Sequence, residues 1–98
     1  MTAAERRCVV GGETALRFAA HVRFRFDKVR ERWVVLAPEK LLLPDEPAVE
    51  ILKQVDGSRT VDAIVDDLAA RFDAPREVIA ADVTALLQDL ADQGVLVA

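Results

Sequence analysis

Two short apolar runs joined through Pro38-Glu39 constrain this chain more than any other feature. Trp33-Val34-Val35-Leu36 has the length and the β-branched and aromatic content of a strand. Lys40, Leu41, Leu42 and Leu43 make the second run, and Pro44 ends it because proline has no N–H to give a ladder. Pro38-Glu39 is the tight connection between the two. Upstream, Val22, Phe24 and Phe26 alternate with Arg23 and Arg25, the period of a half-buried strand. Phe24 and Phe26 are expected to face the core and the arginines to face water or a partner. Residues 27–32 are polar and supply the connection to the Trp33 strand. The outcome is a three-stranded antiparallel meander whose apolar face needs a helical cover. The third strand is expected at a sheet edge, where an unprotected apolar edge is either a liability or a docking site.

Everything after Pro44 reads as helical. Asp45-Glu46-Pro47 suits a helix start, and Ala48, Ile51, Leu52 and Val55 form an apolar stripe that Asp56-Gly57 is expected to end. A second helix is capped by Ser58 or Thr60, with Val61, Ile64, Val65, Leu68, Ala69 and Phe72 on one face. A third begins near Pro75, carries Ile79, Val83, Leu86, Leu87 and Leu90, and closes at Gly94; Val95-Leu96-Val97 follows as an extended tail. A short turn at Asp73-Ala74 joins the last two helices, as in a helix-turn-helix. The expected fold is α+β and winged-helix-like, a three-stranded antiparallel sheet followed by a three-helix bundle. Residues 1–20 are expected to be flexible or weakly ordered, with a tail to Arg7, a candidate strand at 8–10 and weak helical character from Thr14 to Ala20. Residues 21–98 then form the domain.

The 98 residues leave room for one core. The only cysteine is Cys8 and the only histidine is His21, which excludes an intrachain disulfide and leaves no zinc constellation. No apolar run approaches the ~20 residues of a membrane span, and no apolar signal-peptide core opens the chain, so a cytoplasmic setting is expected. No glycine-rich phosphate loop is present, and Asp66-Asp67, adjacent on a helix, point in different directions. Neither a catalytic residue nor a cofactor is expected.

The charge is divided. Residues 1–44 carry nine Lys/Arg against five Asp/Glu, and residues 45–98 carry four against twelve. A recognition helix must bring cations to phosphates, yet the last helix carries Arg76 against Glu77, Asp82, Asp89 and Asp92. DNA binding therefore rests on the strand side alone, on Arg23, Arg25, Arg30 and Arg32. Peptide capture fits better. The edge formed by Lys40, Leu41, Leu42 and Leu43 can take an extended peptide as a further strand, and the last helix can wall the groove with Asp82, Leu86, Asp89 and Leu90.

From about Arg23 onward the chain resembles the PqqD family of pyrroloquinoline quinone (PQQ) biosynthesis. The resemblance is carried by Arg23-Phe24-Arg25-Phe26-Asp27 and Trp33-Val34-Val35-Leu36-Ala37-Pro38-Glu39. It continues through Ile51-Leu52, Asp56-Gly57-Ser58-Arg59-Thr60-Val61, Ile64-Val65, Leu68, Asp82-Val83, Leu86-Leu87, Leu90 and Gly94. It implies a recognition element for a ribosomally made, modified peptide. Such an element binds the leader of a PqqA-like precursor and presents it to a PqqE-like radical S-adenosylmethionine enzyme. It also implies that the leader lies as a strand against the third strand, beside the last helix. Leu43-Pro44-Asp45 stands where the family commonly has Leu-Asn, and Val95-Leu96 where it often has a bulky aromatic. Service to another modified-peptide cluster therefore stays open.

Overall fold

The computed structural model describes residues 8–98. Strands β2 (Arg23–Asp27), β3 (Arg32–Ala37) and β4 (Lys40–Leu42) form an antiparallel sheet in the order β2-β3-β4. Asp27 fixes the first turn: its carboxylate accepts from the backbone N–H groups of Val29 (2.8 Å) and Arg30 (3.1 Å) and from the Arg30 guanidinium (2.7 Å). Pro38-Glu39 is the second turn, with neither residue at positive φ. Phe24 faces Val35 across the ladder and Val35 faces Leu42. Val35 belongs to the core, and Phe24, Ala37 and Leu42 pack against it. Phe26 departs from expectation. It pairs with Trp33 at the far end of the sheet and is 48% exposed, touching the indole edge-on at 6.0 Å. The alternation gives it the right face, but the helical layer does not reach that far.

Helix α1 spans Glu46–Leu52, with Asp45 accepting from the Ala48 N–H (3.0 Å). It stops short of Asp56-Gly57. The Asp56 carboxylate turns the chain by accepting from the N–H groups of Ser58 and Arg59, and Gly57 sits at φ +87° with its N–H on the Leu16 carbonyl (2.9 Å). Helix α2 (Val61–Arg71) is capped by Thr60, which accepts from Ala63, and not by Ser58. Its stripe of Val61, Ile64, Val65 and Leu68 is buried, while Phe72 lies past the helix end and is 46% exposed. Helix α3 (Arg76–Asp92) buries Val83, Leu87 and Leu90.

Residues 8–20, expected to be weakly ordered, are docked on the helical half. Val10 and Leu16 are buried in the core. The first-turn N–H groups of α2, which have no intrahelical acceptor, donate to this segment: Val61 to the Thr14 carbonyl and Asp62 to the Gly12 carbonyl, both at 2.9 Å. A Cβ at residue 12 would meet the Asp62 carboxylate at 2.6 Å, so a larger residue there requires that side chain to swing aside. The Gln88 amide clamps the start of the segment, accepting from the Val10 N–H (2.8 Å) and donating to the Cys8 carbonyl (2.7 Å). Strand β1 (Arg17–Phe18) then pairs with β5 (Leu96–Val97), the apparent tail, as a separate antiparallel ribbon. No strand forms at 8–10 and no helix at 14–20, because the backbone partners of this segment lie on other elements. Residues 1–7, read as a tail, lie outside the described residues.

Candidate functional site

Strand β4 is the edge of its sheet, and no strand of the described residues pairs with its outer side. Its register tells which backbone groups are open. Across a two-residue turn the closing pair, Ala37 and Lys40, exchanges ladder bonds; Leu36 with Leu41 is then a non-bonded pair, and Val35 with Leu42 is bonded again. The N–H and C=O of Leu42 therefore point inward to β3, and those of Leu41 point outward. Continuing the alternation, Leu43 also presents its groups outward. The side chains of Leu41 and Leu43 are 36% and 49% exposed, and Leu42 packs against the core.

Helix α3 stands beside this edge. The Lys40 ammonium donates to Oε1 of Gln93 (3.1 Å), and Nε2 of Gln93 donates to Oδ2 of Asp89 (3.0 Å), tying the start of β4 to the last turns of the helix. Asp82 and Asp89 are exposed and Leu86 is half-buried against the core. Leu90 is different. At 5% exposure it belongs to the core and supports the wall from behind, offering no surface to a ligand. Residues 40–43 thus lie on the edge, and Asp89 is joined to its start through Gln93. The sequence reading missed Gln93, because its bond to Lys40 joins positions 53 apart; only the Asp89-x-x-x-Gln93 spacing was visible.

It also missed a groove of about 810 Å³ at the Pro44 end of the edge. The end of the sheet gives it Phe26 and Trp33, α1 gives Ile51, α3 gives Ile79 and Asp82, and Phe72 closes one side. Its volume lies in the range of ligand-binding clefts.

Two arginines of the helical half, Arg71 and Arg76, are neutralised by neighbouring carboxylates. Arg71 bridges Glu50 (3.0 Å) and Asp67 (3.2 Å); Arg76 reaches Asp66 (2.9 Å) and Asp62 (3.7 Å). The hydrogen bond from Arg71, and the nearby Lys53 cation, hold the Glu50 carboxyl below its ordinary pKa, and Asp67 and Glu50 in turn raise the guanidinium of Arg71. Asp66 and Asp67 are thus ion-pair partners, not a proton-transfer dyad. Among the described residues, no group of three His, Cys, Asp or Glu is placed to hold a metal ion, and no helix is long and apolar enough to cross a membrane. What the arrangement offers is an open strand edge, an acidic helix beside it and an apolar groove at one end.

Comparison with known proteins identifies the family. Residues 32–96 match the model of the family described as coenzyme PQQ synthesis protein D (PqqD). The chain belongs to the PqqD family. Among its relatives, a "PqqA binding protein" of Rhodopseudomonas palustris strain BisB5 is 50% identical over 93 residues, covering 95% of this chain and 91% of that one. A protein of the same name in Gluconobacter oxydans is 48% identical, covering 90% and 92%. The solution structure of the PqqD part of Methylobacterium extorquens PqqCD superposes with a TM-score of 0.77 at 40% identity, covering 91% of this chain and 95% of that one. That protein is described as a functional, stand-alone recognition element for ribosomally synthesised, modified peptides. The crystal structure of PqqD from Xanthomonas campestris gives 0.59 at 31% identity, covering 91% and 99%. In this PqqD chain the family match begins at the first residue of β3, so it contains the open edge and the helix beside it.

Proposed function

We propose that this PqqD-family protein is a non-catalytic peptide chaperone of PQQ biosynthesis. It binds the leader of a PqqA-like precursor by strand addition along β4 and presents it to a PqqE-like radical S-adenosylmethionine enzyme in the cytoplasm. The observation that carries this reading is the unpartnered outer side of β4 beside an acidic helix. Main-chain bonds to Leu41 and Leu43 supply affinity, and the side chains around them supply specificity. Lys40 and Leu42 hold the edge in place; Asp82, Leu86 and Asp89 form the facing wall. The relatives named PqqA binding protein support the choice of peptide. A disordered leader loses several kcal/mol on becoming ordered, so an affinity of about micromolar or somewhat tighter is expected. Titration of ¹⁵N-labelled protein with a PqqA peptide tests the site: shifts should concentrate on residues 40–43 and on the α3 face with Asp82 and Asp89. Shifts confined to the β1–β5 ribbon would overturn it.

A further inference from the structure

The groove at the end of the β4 edge has a chemistry of its own. It is continuous with the edge, because Pro44 follows Leu43 directly and lines the groove, and Asp82 belongs to both. Its walls hold two aromatic rings that are about half exposed, Phe26 and Phe72, with Trp33 between the sheet and α1. Exposed rings of this kind offer an apolar side chain of a partner a surface to pack on. The charges around it are unequally engaged. Lys53 and Arg71 are bound to Glu50 at 3.5 and 3.0 Å, and the Arg32 guanidinium donates to the Pro44 carbonyl at 3.0 Å. Glu31, Glu46 and Asp82 line the same groove, and among the described residues none of their carboxylates has a hydrogen-bond or ion-pair partner. An apolar slot with unpaired carboxylates at its rim selects against acidic ligands and favours a large apolar side chain with a cation beside it.

We propose that this groove reads a hydrophobic–cationic step in the peptide: one aromatic or large aliphatic side chain seated among Phe26, Trp33 and Phe72, with a neighbouring Lys or Arg at the Glu46 and Asp82 carboxylates. The step lies in the stretch of peptide that continues past Leu43 from the strand on β4. This rests on the peptide-capture reading and specifies the ligand sequence that capture requires. Residues of a peptide strand alternate between faces, so the apolar and cationic groups can be adjacent and still diverge toward floor and rim.

The test uses the full chain, ¹⁵N-labelled, and the PqqA precursor peptide. The protein has one tryptophan, so Trp33 supplies a single indole signal at the groove wall. That signal should move on titration. The double variant Glu46→Gln/Asp82→Asn should bind PqqA about three- to tenfold more weakly, as expected for losing two surface charge contacts, and with a shallower salt dependence. PqqA with its Lys and Arg replaced by Gln should lose a similar factor on the wild-type protein and little on the double variant, a cycle that isolates the contact. An unmoved indole, together with wild-type affinity in the double variant, overturns the groove proposal. If Leu41→Pro still abolishes binding in that case, capture at the edge stands without the groove. If wild-type protein does not bind PqqA at all, the capture reading fails and takes this inference with it.

Discussion

Two surfaces of this molecule are built from short strands, and they are finished in opposite ways. The β1–β5 ribbon has two residues in each strand and is held down by the buried side chain of β5. Leu96 is 1% exposed, the Ala19 N–H donates to the Val95 carbonyl (2.9 Å), and the Arg17 guanidinium donates to the Ala98 carbonyl (3.1 Å). The β4 edge has three residues and is left open, with Leu41 and Leu43 in solvent and one row of backbone groups without a strand beside it. Strand length does not distinguish the two. The difference lies in what is underneath. Strand β5 leaves the end of α3 and drops Leu96 into the core beside Val95, whereas β4 anchors only Leu42. Burial closes one surface for stability, and its absence keeps the other available for a partner.

The comparison can be broken first at the ribbon. Leu96→Ala should destabilise the fold by about 2–5 kcal/mol, the usual cost of a truncated core leucine, whereas Leu43→Ala should change stability by no more than about 0.5 kcal/mol. Urea unfolding of the two variants checks this; equal losses would mean that the edge is core as well. The second test belongs to the edge. Leu41→Pro removes an outward N–H and should lower PqqA affinity more than about tenfold, because a buried ladder acceptor on the peptide is left unpaired. Leu42→Pro removes an inward N–H and should damage the β3–β4 hairpin itself, visible as a lower Tm. If the two prolines behave alike, the register assigned here is wrong.

A smaller effect is expected where the N-terminal segment meets the helices. Gly57→Ala forces an L residue into left-handed backbone while its new methyl meets only the Arg17 Cβ at 3.5 Å, so the loss should be near the intrinsic cost, about 1–2 kcal/mol. The pH dependence sharpens the same contrast. Backbone and side-chain bonds from Arg30 hold Asp27 below its ordinary carboxyl pKa, Arg71 does the same for Glu50, and the backbone N–H groups of Arg59 and Ser58 do so for Asp56. On acidification the unfolded chain takes up these protons first. Stability from the three groups is therefore complete above their ordinary values of 3.8 and 4.5 and is lost as pH falls below them. Thermal melts at successively lower pH should show the decline, and Asp27→Asn should flatten it in part. A change as small as that of Leu43→Ala, no more than about 0.5 kcal/mol in the same urea measurement, is expected from Lys40→Ala, whose hydrogen bond to Gln93 lies in solvent.

Much of this was legible in the residues. The turn at Pro38-Glu39 and the stop at Pro44 bracket the β4 strand because proline denies the ladder a donor. The stripes of α2 and α3 predict most of the core, because a 3.6-residue repeat leaves one face to bury. Residues 40–43 lie on the open edge and Asp89 is joined to it through Gln93, whereas Leu90 is in the core, since periodicity marks a helix face but not how deeply each position on it is buried. The position of Phe26 and Phe72 outside the core was not legible either. Their spacing fits the buried faces, but the layers end before reaching them.

By itself the sequence determined the three strands of the main sheet and the three helices, and that one half is basic and the other acidic. Those are local properties, set by side-chain period, backbone donors and formal charge. Only the tertiary structure decided that residues 8–20 are strapped across the helices, that β1 finds β5, that Gln93 reaches Lys40, and that a groove opens beyond Leu43. Each of these depends on pairs of residues far apart in the chain. A backbone N–H in the arm can be satisfied by many carbonyls, and which one it meets is settled by the packing of the whole core.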